Sequence, residues 1–290
     1  MHIYLVHDKK VPAKRKVFLV FLLVALWPVL SALTASATTT IPAADPKLLQ
    51  QAYSREETLH YEIAWMGLKA GELVIHLLPD KDKQEQFSIR VTARSTGLLE
   101  VFYPVDDNFE TIVTGQDRLP VKYSIDLHEG RRRNKKLTIY DQQQGLLSYT
   151  RNDEATETYK VAGPTYNEFS SFMIMRALPL VVGRELMVPT FADKKRHEVM
   201  VRVETKEKVR SIFGNTEAIR VRPQLPFKGL YQKTGAPVIW LSDDMARIPL
   251  KIKAKIVIGS LTAKLVSYQG WKEAPEPEPA TGNNAEESLL

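Results

Sequence analysis

The sequence predicts a mostly β fold: a single antiparallel domain, built as a curved sheet or barrel-like structure, with one short helix packed against it. Three observations support this. Apolar and polar residues alternate along many short segments, turn residues separate those segments, and only one segment has helical spacing. Alternation places one face of a strand in the core and the other in water. Strands without intervening helices favour antiparallel pairing, and sheets of roughly a dozen or more strands curl or close to protect their edges.

The alternation is clearest near the two ends of the domain. Residues 59–65 alternate apolar with polar or small side chains. Over residues 248–258, Ile, Leu and Ala alternate mostly with Lys, and a second alternating run follows Gly259-Ser260. Glycine at the first position of a two-residue loop suits a type II′ turn, so residues 247–268 are predicted to form one long hairpin.

One segment, residues 166–178, is predicted to be a helix. Phe169, Phe172 and Met173 recur there at helical spacing, Asn167 can cap the first turn, and Pro179 ends the segment. Together with the strands, this pattern predicts six core side chains. They are Ile63, Trp65, Phe172, Leu250, Ile252 and Ile256. Because Ile252 is predicted to be a core residue, its replacement by Ala is expected to cost ~2–5 kcal/mol.

The N-terminal segment 1–37 is predicted to be a signal peptide. A basic region precedes the uncharged run 17–33, and Ala35-Ser36-Ala37 provides the small residues that signal peptidase requires. We therefore expect cleavage after Ala37, a periplasmic location and no membrane span in the processed chain. The alternative is a retained anchor, because a run of this length lies at the short limit for crossing a bilayer.

The remaining chain divides into three parts by composition. Residues 38–53 are predicted to be a flexible N-terminal segment and 54–270 the β domain. Residues 271–290, rich in Glu and Pro, are predicted to be a disordered tail, because such segments bury too little apolar area to offset the entropy of ordering.

Charge and composition exclude several classes of function. The chain has 290 residues, no Cys and a net charge of +6. The segment 1–37 carries five of the 40 Lys and Arg and one of the 34 Asp and Glu, so the rest of the chain has a net charge of only +2. Nucleic-acid binding therefore loses its main support. Disulfides and thiolate metal sites are excluded by the absence of Cys.

No motif for a cofactor, a metal or a serine nucleophile is present in the sequence. Two acidic pairs, Asp106-Asp107 and Asp243-Asp244, form an alternative candidate site, since converging carboxylates can bind a hard cation or serve as general acid and base. Adjacent carboxylates at strand ends more often cap turns or accept backbone N–H bonds. The sequence leaves both interpretations open.

Two basic clusters are the remaining polar features. Residues 131–136, with three consecutive Arg, are expected at a hairpin tip, and Lys251, Lys253, Lys255 and Lys264 share the wet face of the last hairpin. Such charges protect sheet edges and keep a protein soluble. They also attract anionic lipid or polymer, each contributing ~1 kcal/mol near an anionic surface.

Several blocks of the sequence resemble those of domain-of-unknown-function family 3108, in the same order and over about residues 55–270. The resemblance implies an exported bacterial protein of the cell envelope, without implying an activity or catalytic residues. The blocks are residues 61–65 (YEIAW), Gly67, 69–72 (KAGE), 95–97 (STG), 102–107 (FYPVDD), 119–123 (LPVKY), 240–244 (WLSDD), 247–249 (RIP) and the closing Gly259-Ser260 hairpin.

From these observations we expect a non-enzymatic envelope module that binds a lipid-like ligand or a polymer in the concavity of its sheet. Pockets of this kind are mostly apolar with a few polar anchors. Two alternatives remain: a carboxylate- or metal-dependent hydrolase acting on envelope material, and a scaffold or partner-binding protein with a filled core. The candidate ligand-lining residues are Trp65, Tyr123, Phe172 and Trp240.

Overall fold

The computed structural model describes residues 44–224, 236–256 and 259–270, which form 14 strands and three short helices. The helices are α1 (Pro46–Ala52), α2 (Leu98–Phe102) and α3 (Glu168–Met175). The strands are β1 (Glu57–Trp65), β2 (Leu68–Pro79), β3 (Phe87–Ser95), β4 (Asp106–Thr114), β5 (Leu119–Glu129), β6 (Arg132–Asp141), β7 (Leu146–Arg151), β8 (Glu157–Lys160), β9 (Glu185–Ala192), β10 (Lys195–Ser211), β11 (Gly214–Gln224), β12 (Val238–Ser242), β13 (Pro249–Lys255) and β14 (Ser260–Gln269).

All 14 strands belong to one antiparallel sheet, which confirms the predicted mostly β class. The strand order is β8-β7-β6-β5-β4-β3-β2-β1-β14-β13-β12-β11-β10-β9, so the first and last strands of the domain pair at the centre of the sheet. Within the described residues β8 and β9 remain the two edges, and the sheet is therefore not closed. Every other pair of neighbouring strands in the sheet is also consecutive in the chain.

The predicted C-terminal hairpin is present as β13 and β14, but its turn differs from the prediction. Lys255 pairs with Ser260, so residues 256–259 form the connection and Gly259 is its last residue rather than its first. Gly259 has φ of +81°, the left-handed conformation that glycine adopts without strain. Two residues of this connection, 257 and 258, lie outside the described residues.

The main hydrophobic core lies on the inner face of the sheet, beneath α1 and α3. Leu59, Tyr61, Val203 and Leu241 are fully buried there. Of the six predicted core residues, only Leu250 is fully buried, and Ile252 and Phe172 are partly buried against this core. The prediction was wrong for the other three, which are only partly buried because they lie at strand ends, where the sheet is open to solvent: Ile63, Trp65 and Ile256.

The partial burial of Ile252 changes the stability effect expected for its replacement. Ile252 is partly exposed to solvent, whereas Leu250, two residues earlier on β13, is only 3% exposed. Less apolar area is lost on truncation, so we expect Ile252→Ala to lower the free energy of unfolding by about 1–2 kcal/mol rather than the larger cost of a fully buried site. Urea denaturation would measure this change, and a loss above that range would mean that Ile252 is fully covered in solution.

The predicted helix is confirmed as α3, with the predicted cap. The Asn167 side chain accepts the backbone N–H groups of Phe169 and Ser170 at 3.0 and 2.9 Å, and the Ser170 hydroxyl accepts the N–H of Asn167 at 2.9 Å. This reciprocal arrangement is a capping box, which satisfies donors that the first helical turn leaves without partners.

Two further helices correct the prediction of a single one. Helix α1 lies in the segment 38–53 that was predicted to be flexible; Asp45 caps it and its Leu48 and Leu49 are buried in the main core. A helix of seven residues is too short to show periodicity or to be stable alone, so burial against the sheet is what stabilises it. Helix α2 has five residues and lies at one end of the sheet, beside β2.

Two parts of the predicted organisation lie outside the described residues: the signal peptide 1–37 and the tail 271–290. In the described part of the chain, no helix has both the length and the apolar character needed to span a membrane.

Candidate ligand-binding site

The first acidic pair links neighbouring strands. Arg94 Nε donates to Asp106 Oδ1 at 3.0 Å, and this guanidinium lowers the pKa of Asp106. Asp107 is buried, which raises its pKa, and it accepts the backbone N–H of His128 at 2.9 Å. Asp106 therefore ties β4 to β3, and Asp107 ties β4 to β5.

The second acidic pair shapes the turn after β12. Asp243 pairs with Lys206 at 2.6 Å, and Asp244 accepts the Ser242 hydroxyl at 2.7 Å and the N–H of Ala246 at 3.0 Å. Six antiparallel steps separate β4 from β12, so the start of β4 and the end of β12 lie at opposite ends of the sheet. The two pairs are not brought together, and no three potential ligands among the described His, Asp and Glu side chains form a metal-binding group.

The four aromatic side chains predicted to line a ligand site are also separated. Phe172 packs against the main core from α3, while Trp65 is partly buried at the end of β1. Trp240 is 7% exposed and belongs to the main core cluster, and it pairs in register with Lys251, whose ammonium lies 3.8 Å from the ring centre. Tyr123 lines a cavity together with other aromatic residues.

The cavity that Tyr123 lines is the candidate ligand-binding site, and we call it the aromatic cavity. It has a volume of about 350 Å³ and lies between the inner face of β5–β7, the first turn of α3, the end of β9 and the β9–β10 connection. Tyr123, Thr138 and Tyr149 are register partners on three consecutive strands, so their side chains share this face. The residues that give the cavity its chemistry are Tyr123, Lys136, Tyr140, Tyr149, Glu168 and Phe191.

Edge-to-face ring contacts hold the walls of the aromatic cavity together. The rings of Tyr140 and Phe191 lie 6.5 Å apart with an interplanar angle of 87°, and those of Tyr123 and Phe169 lie 6.3 Å apart at 74°. Tyr123, Tyr140 and Phe191 are each about 5% exposed and form a second core cluster with Leu147. Aromatic rings favour an edge-to-face arrangement over a face-to-face sandwich, and these contacts fix the rings in position.

Two buried polar groups of the aromatic cavity form no hydrogen bond of normal geometry with another described residue. They are the hydroxyl of Tyr140, which lies near the Asn167 side chain, and the Oε2 atom of Glu168, whose carboxyl group lies near the Tyr123 hydroxyl. Burial raises the pKa of Glu168 to about 7, since desolvation outweighs the hydrogen bond from its own backbone and the charge of Lys136. Buried polar atoms without partners are rare in native proteins, and each requires an explanation such as a bound molecule.

Cationic side chains surround the mouth of the aromatic cavity. Lys136 and Arg151 are register partners on β6 and β7, and Lys194 lies on the β9–β10 connection. The Lys194 ammonium is 2.5 Å from a carboxylate oxygen of Glu157 and 5.1 Å from the ring centre of Tyr149. The cavity thus combines aromatic walls, a carboxyl group with a pKa of about 7 and a positively charged entrance.

The sequence analysis missed most of this site. Glu168 was visible only as an acidic residue in the first turn of a helix, where favourable interaction with the helix dipole is a sufficient reason for its presence. Tyr140 and Tyr149 follow the alternating pattern of their strands, which indicates a shared face but not what covers that face. Lys136 belonged to a basic cluster assigned to a hairpin tip, although its side chain lines the inner cavity.

The fold and the cavity define a class: an open, β-barrel-like antiparallel domain with a small aromatic cavity at one end of the sheet. The model of the family described as "Protein of unknown function (DUF3108)" matches residues 60–266. The chain belongs to this family, which confirms the resemblance found in the sequence.

Comparison with one solved structure supports the fold. The chain is similar to the β-barrel-like protein of domain of unknown function DUF1849 from Brucella abortus, with a TM-score of 0.52 and 11% identity over 76% of this chain and 99% of that chain. A weaker similarity, with a TM-score of 0.35 and 7% identity, covers 79% of this chain and 95% of the hypothetical protein CT021 from Chlamydia trachomatis. No curated protein matches the chain in sequence.

Proposed function

We propose that this protein is an exported, non-enzymatic binding module of the bacterial cell envelope, and that it binds the polar head of an amphiphilic ligand in the aromatic cavity. The observation that carries this proposal is the pair of buried polar groups of Tyr140 and Glu168, which lie between aromatic walls and form no hydrogen bond of normal geometry with another described residue. A ligand hydroxyl or amine would satisfy both groups. The signal-like segment 1–37 supports the location in the envelope.

The size and chemistry of the aromatic cavity limit the ligand. A volume of about 350 Å³ lies near the lower end of the range for ligand pockets, so it suits a head group or one sugar-sized unit rather than a whole lipid. Ring faces of Tyr and Phe contact the apolar side of such a unit. The cations at the entrance suit a phosphate or carboxylate that stays at the mouth.

The structure changes where we expect the ligand to bind. The concavity of the sheet was the expected site, but α1 and α3 cover its inner face and pack into the main core. The candidate residues Trp65, Phe172 and Trp240 are therefore not part of the proposed site, whereas Tyr123 is. The hydrolase alternative has less support, since Asp106-Asp107 and Asp243-Asp244 are engaged in separate contacts at opposite ends of the sheet.

Removing the Tyr140 hydroxyl is expected to stabilise the ligand-free protein. Tyr140→Phe keeps the ring contact with Phe191 and removes the buried hydroxyl. Burial of a hydroxyl group without a hydrogen bond costs about 1–3 kcal/mol. We expect a gain of about 1 kcal/mol in the free energy of unfolding, measured by urea denaturation. Tyr159→Phe is the matched control, because its hydroxyl donates to Glu157 and its removal offers no gain. A loss of stability in Tyr140→Phe would contradict the assignment.

Native mass spectrometry of the protein from its own periplasmic fraction tests the proposed function directly. We expect a chain that begins at Thr38 and carries one small ligand, and we expect the combined variant Tyr140→Phe and Glu168→Gln to lose that ligand. A chain that retains Met1 would overturn processing after Ala37. A protein without ligand would favour the scaffold alternative, and a stoichiometric divalent metal lost in Asp243→Asn would favour the hydrolase.

A further inference from the structure

The most exposed large apolar side chains of the described residues lie in two neighbouring segments at one end of the sheet. Met66 and Leu68, at the β1–β2 turn, are 63% and 74% exposed, and Val101 and Phe102, on α2, are 76% and 77% exposed. Helix α2 packs beside the start of β2, where the N–H of Thr96 donates to the carbonyl of Ala70 at 3.0 Å. Four large apolar side chains therefore project into solvent at a single place.

The fold itself does not require methionine at position 66. Trp65 pairs directly with Leu68, so Met66 and Gly67 form a two-residue turn, with φ of +50° and +91°. Asn is the residue that this type of turn favours before glycine, and a long side chain in the left-handed region is uncommon. The Met66 side chain lies against Gly259 of the β13–β14 connection, yet most of it remains exposed and accessible to a partner outside the chain.

A cluster of arginines lies beside these apolar residues. The β5–β6 hairpin tip carries exposed Arg131, Arg132 and Arg133, and the N–H of Gly130 at this tip donates to the carbonyl of Pro104, two residues after Phe102, at 2.7 Å. None of the three arginines forms an ion pair with another described residue.

Several nearby acidic residues are paired with other cations, whereas Glu100 on α2 and Glu129, the register partner of Arg132, form no such pair with a described residue. Lys69 lies 3.3 Å from the carboxylates of both Glu62 and Glu72, and Arg94 pairs with Asp106 at 3.0 Å. The three arginines of the hairpin tip outnumber these two carboxylates, so the tip keeps positive charge for a partner outside the chain.

We propose that this end of the domain docks on an anionic phospholipid bilayer. We call the surface the docking edge, formed by Met66, Leu68, Val101, Phe102 and residues 131–133. The four apolar side chains would enter the boundary between head groups and acyl chains, and the arginines would contact lipid phosphates, as in other proteins that bind at membrane interfaces. Charge complementarity selects a bilayer with anionic lipid over a neutral one.

The aromatic cavity opens at the same end of the sheet. Asn134 and Arg151, which line its mouth, lie near the start of β6 and at the end of β7, and the β5–β6 tip continues directly from β6. A docked domain would thus present the cavity mouth toward the membrane surface. The docking edge itself rests on exposure and charge and does not depend on the proposed ligand.

Vesicle flotation tests the docking edge, using the chain from Thr38 onward so that the apolar run 17–33 contributes nothing. We expect binding to vesicles of equimolar phosphatidylcholine and phosphatidylglycerol, and little binding to phosphatidylcholine alone. The combined variant Arg131→Gln and Arg132→Gln is expected to bind about thirtyfold more weakly. Phe102→Ser and Met66→Asn are each expected to bind about tenfold more weakly, and Met66→Asn should not reduce thermal stability.

The β10–β11 tip at the opposite end of the sheet provides matched controls. It carries exposed Arg210 and Ile212, and we expect Arg210→Gln and Ile212→Asn to bind vesicles as the unmodified chain does. Tyr140→Phe should also leave vesicle binding unchanged, which separates this result from the proposed ligand binding. Equal binding to neutral vesicles, or an equal loss in the controls, would overturn the proposal. Binding to neither vesicle would also overturn it and leave a protein partner as the occupant of this edge.

Discussion

Replacing Arg176 with methionine is expected to lower the free energy of unfolding by about 3–5 kcal/mol, because it leaves the buried carboxylate of Glu57 without its counter-ion. Arg176 is 2% exposed and Glu57 5% exposed. Their two hydrogen bonds, at 2.6 and 2.8 Å, form the bidentate geometry that suits a guanidinium and a carboxylate. Burial alone would lower the pKa of Arg176, but the Glu57 charge outweighs it and the pKa rises.

This ion pair connects four parts of the fold. Arg176 caps the C-terminal end of α3, and Glu57 begins β1. Arg176 also donates to the carbonyl of Ala246, in the β12–β13 connection, at 2.8 Å, and the Tyr268 hydroxyl on β14 donates to Glu57 at 3.0 Å. Loss of the guanidinium therefore weakens the attachment of α3 to the centre of the sheet.

Urea denaturation of three variants separates burial of the charge from loss of packing. Arg202→Met removes the matched exposed pair with Glu185, whose atoms are 2.6 Å apart, and is expected to cost no more than about 1 kcal/mol. Combining Arg176→Met with Glu57→Leu removes both charges and should recover much of the loss, since the penalty comes from the unpaired carboxylate. If Arg176→Met costs no more than Arg202→Met, the pair is not buried in solution.

Raising the pH from 5 to 8 is expected to destabilise the protein through Glu168. The folded pKa of this carboxyl is raised to about 7 by burial, whereas an unfolded Glu has a pKa of about 4.3. Between these values the folded protein holds a proton that the unfolded chain releases, so stability falls as the pH rises and levels off above the folded pKa. The total change from this one group is about 3 kcal/mol.

The measurement compares urea denaturation of the natural chain and Glu168→Gln at several pH values. The difference between the two isolates Glu168 from Asp107, whose pKa is also raised and which acts in the same direction. We expect the variant to be the more stable of the two at pH 8 and to lose much of the pH dependence. Glu198→Gln, at an exposed position on β10, should change neither the stability at pH 8 nor its pH dependence. If the difference in free energy of unfolding between the natural chain and Glu168→Gln stays constant from pH 5 to 8, Glu168 is solvated in the folded protein.

Local patterns in the sequence were sufficient for the class of fold and for several elements. Period-two alternation predicted the many-stranded antiparallel sheet and the β13–β14 hairpin, and the Asn167 cap with apolar spacing predicted α3. These features depend on residues that are close together in the chain. The same is true of the sequence blocks that indicated the family before its model matched residues 60–266.

Only the tertiary structure decided how the faces of these elements meet. Alternation shows which side chains share a face, but it does not show that α3 covers the inner face or that β1 extends beyond the core, where Trp65 is partly exposed. The Arg176–Glu57 pair joins residues 119 positions apart. The aromatic cavity likewise combines four strands (β5, β6, β7 and the end of β9), the start of α3 and the β9–β10 connection. Its polar groups have their properties because folding removes them from water, and burial of this kind depends on contacts between distant parts of the chain.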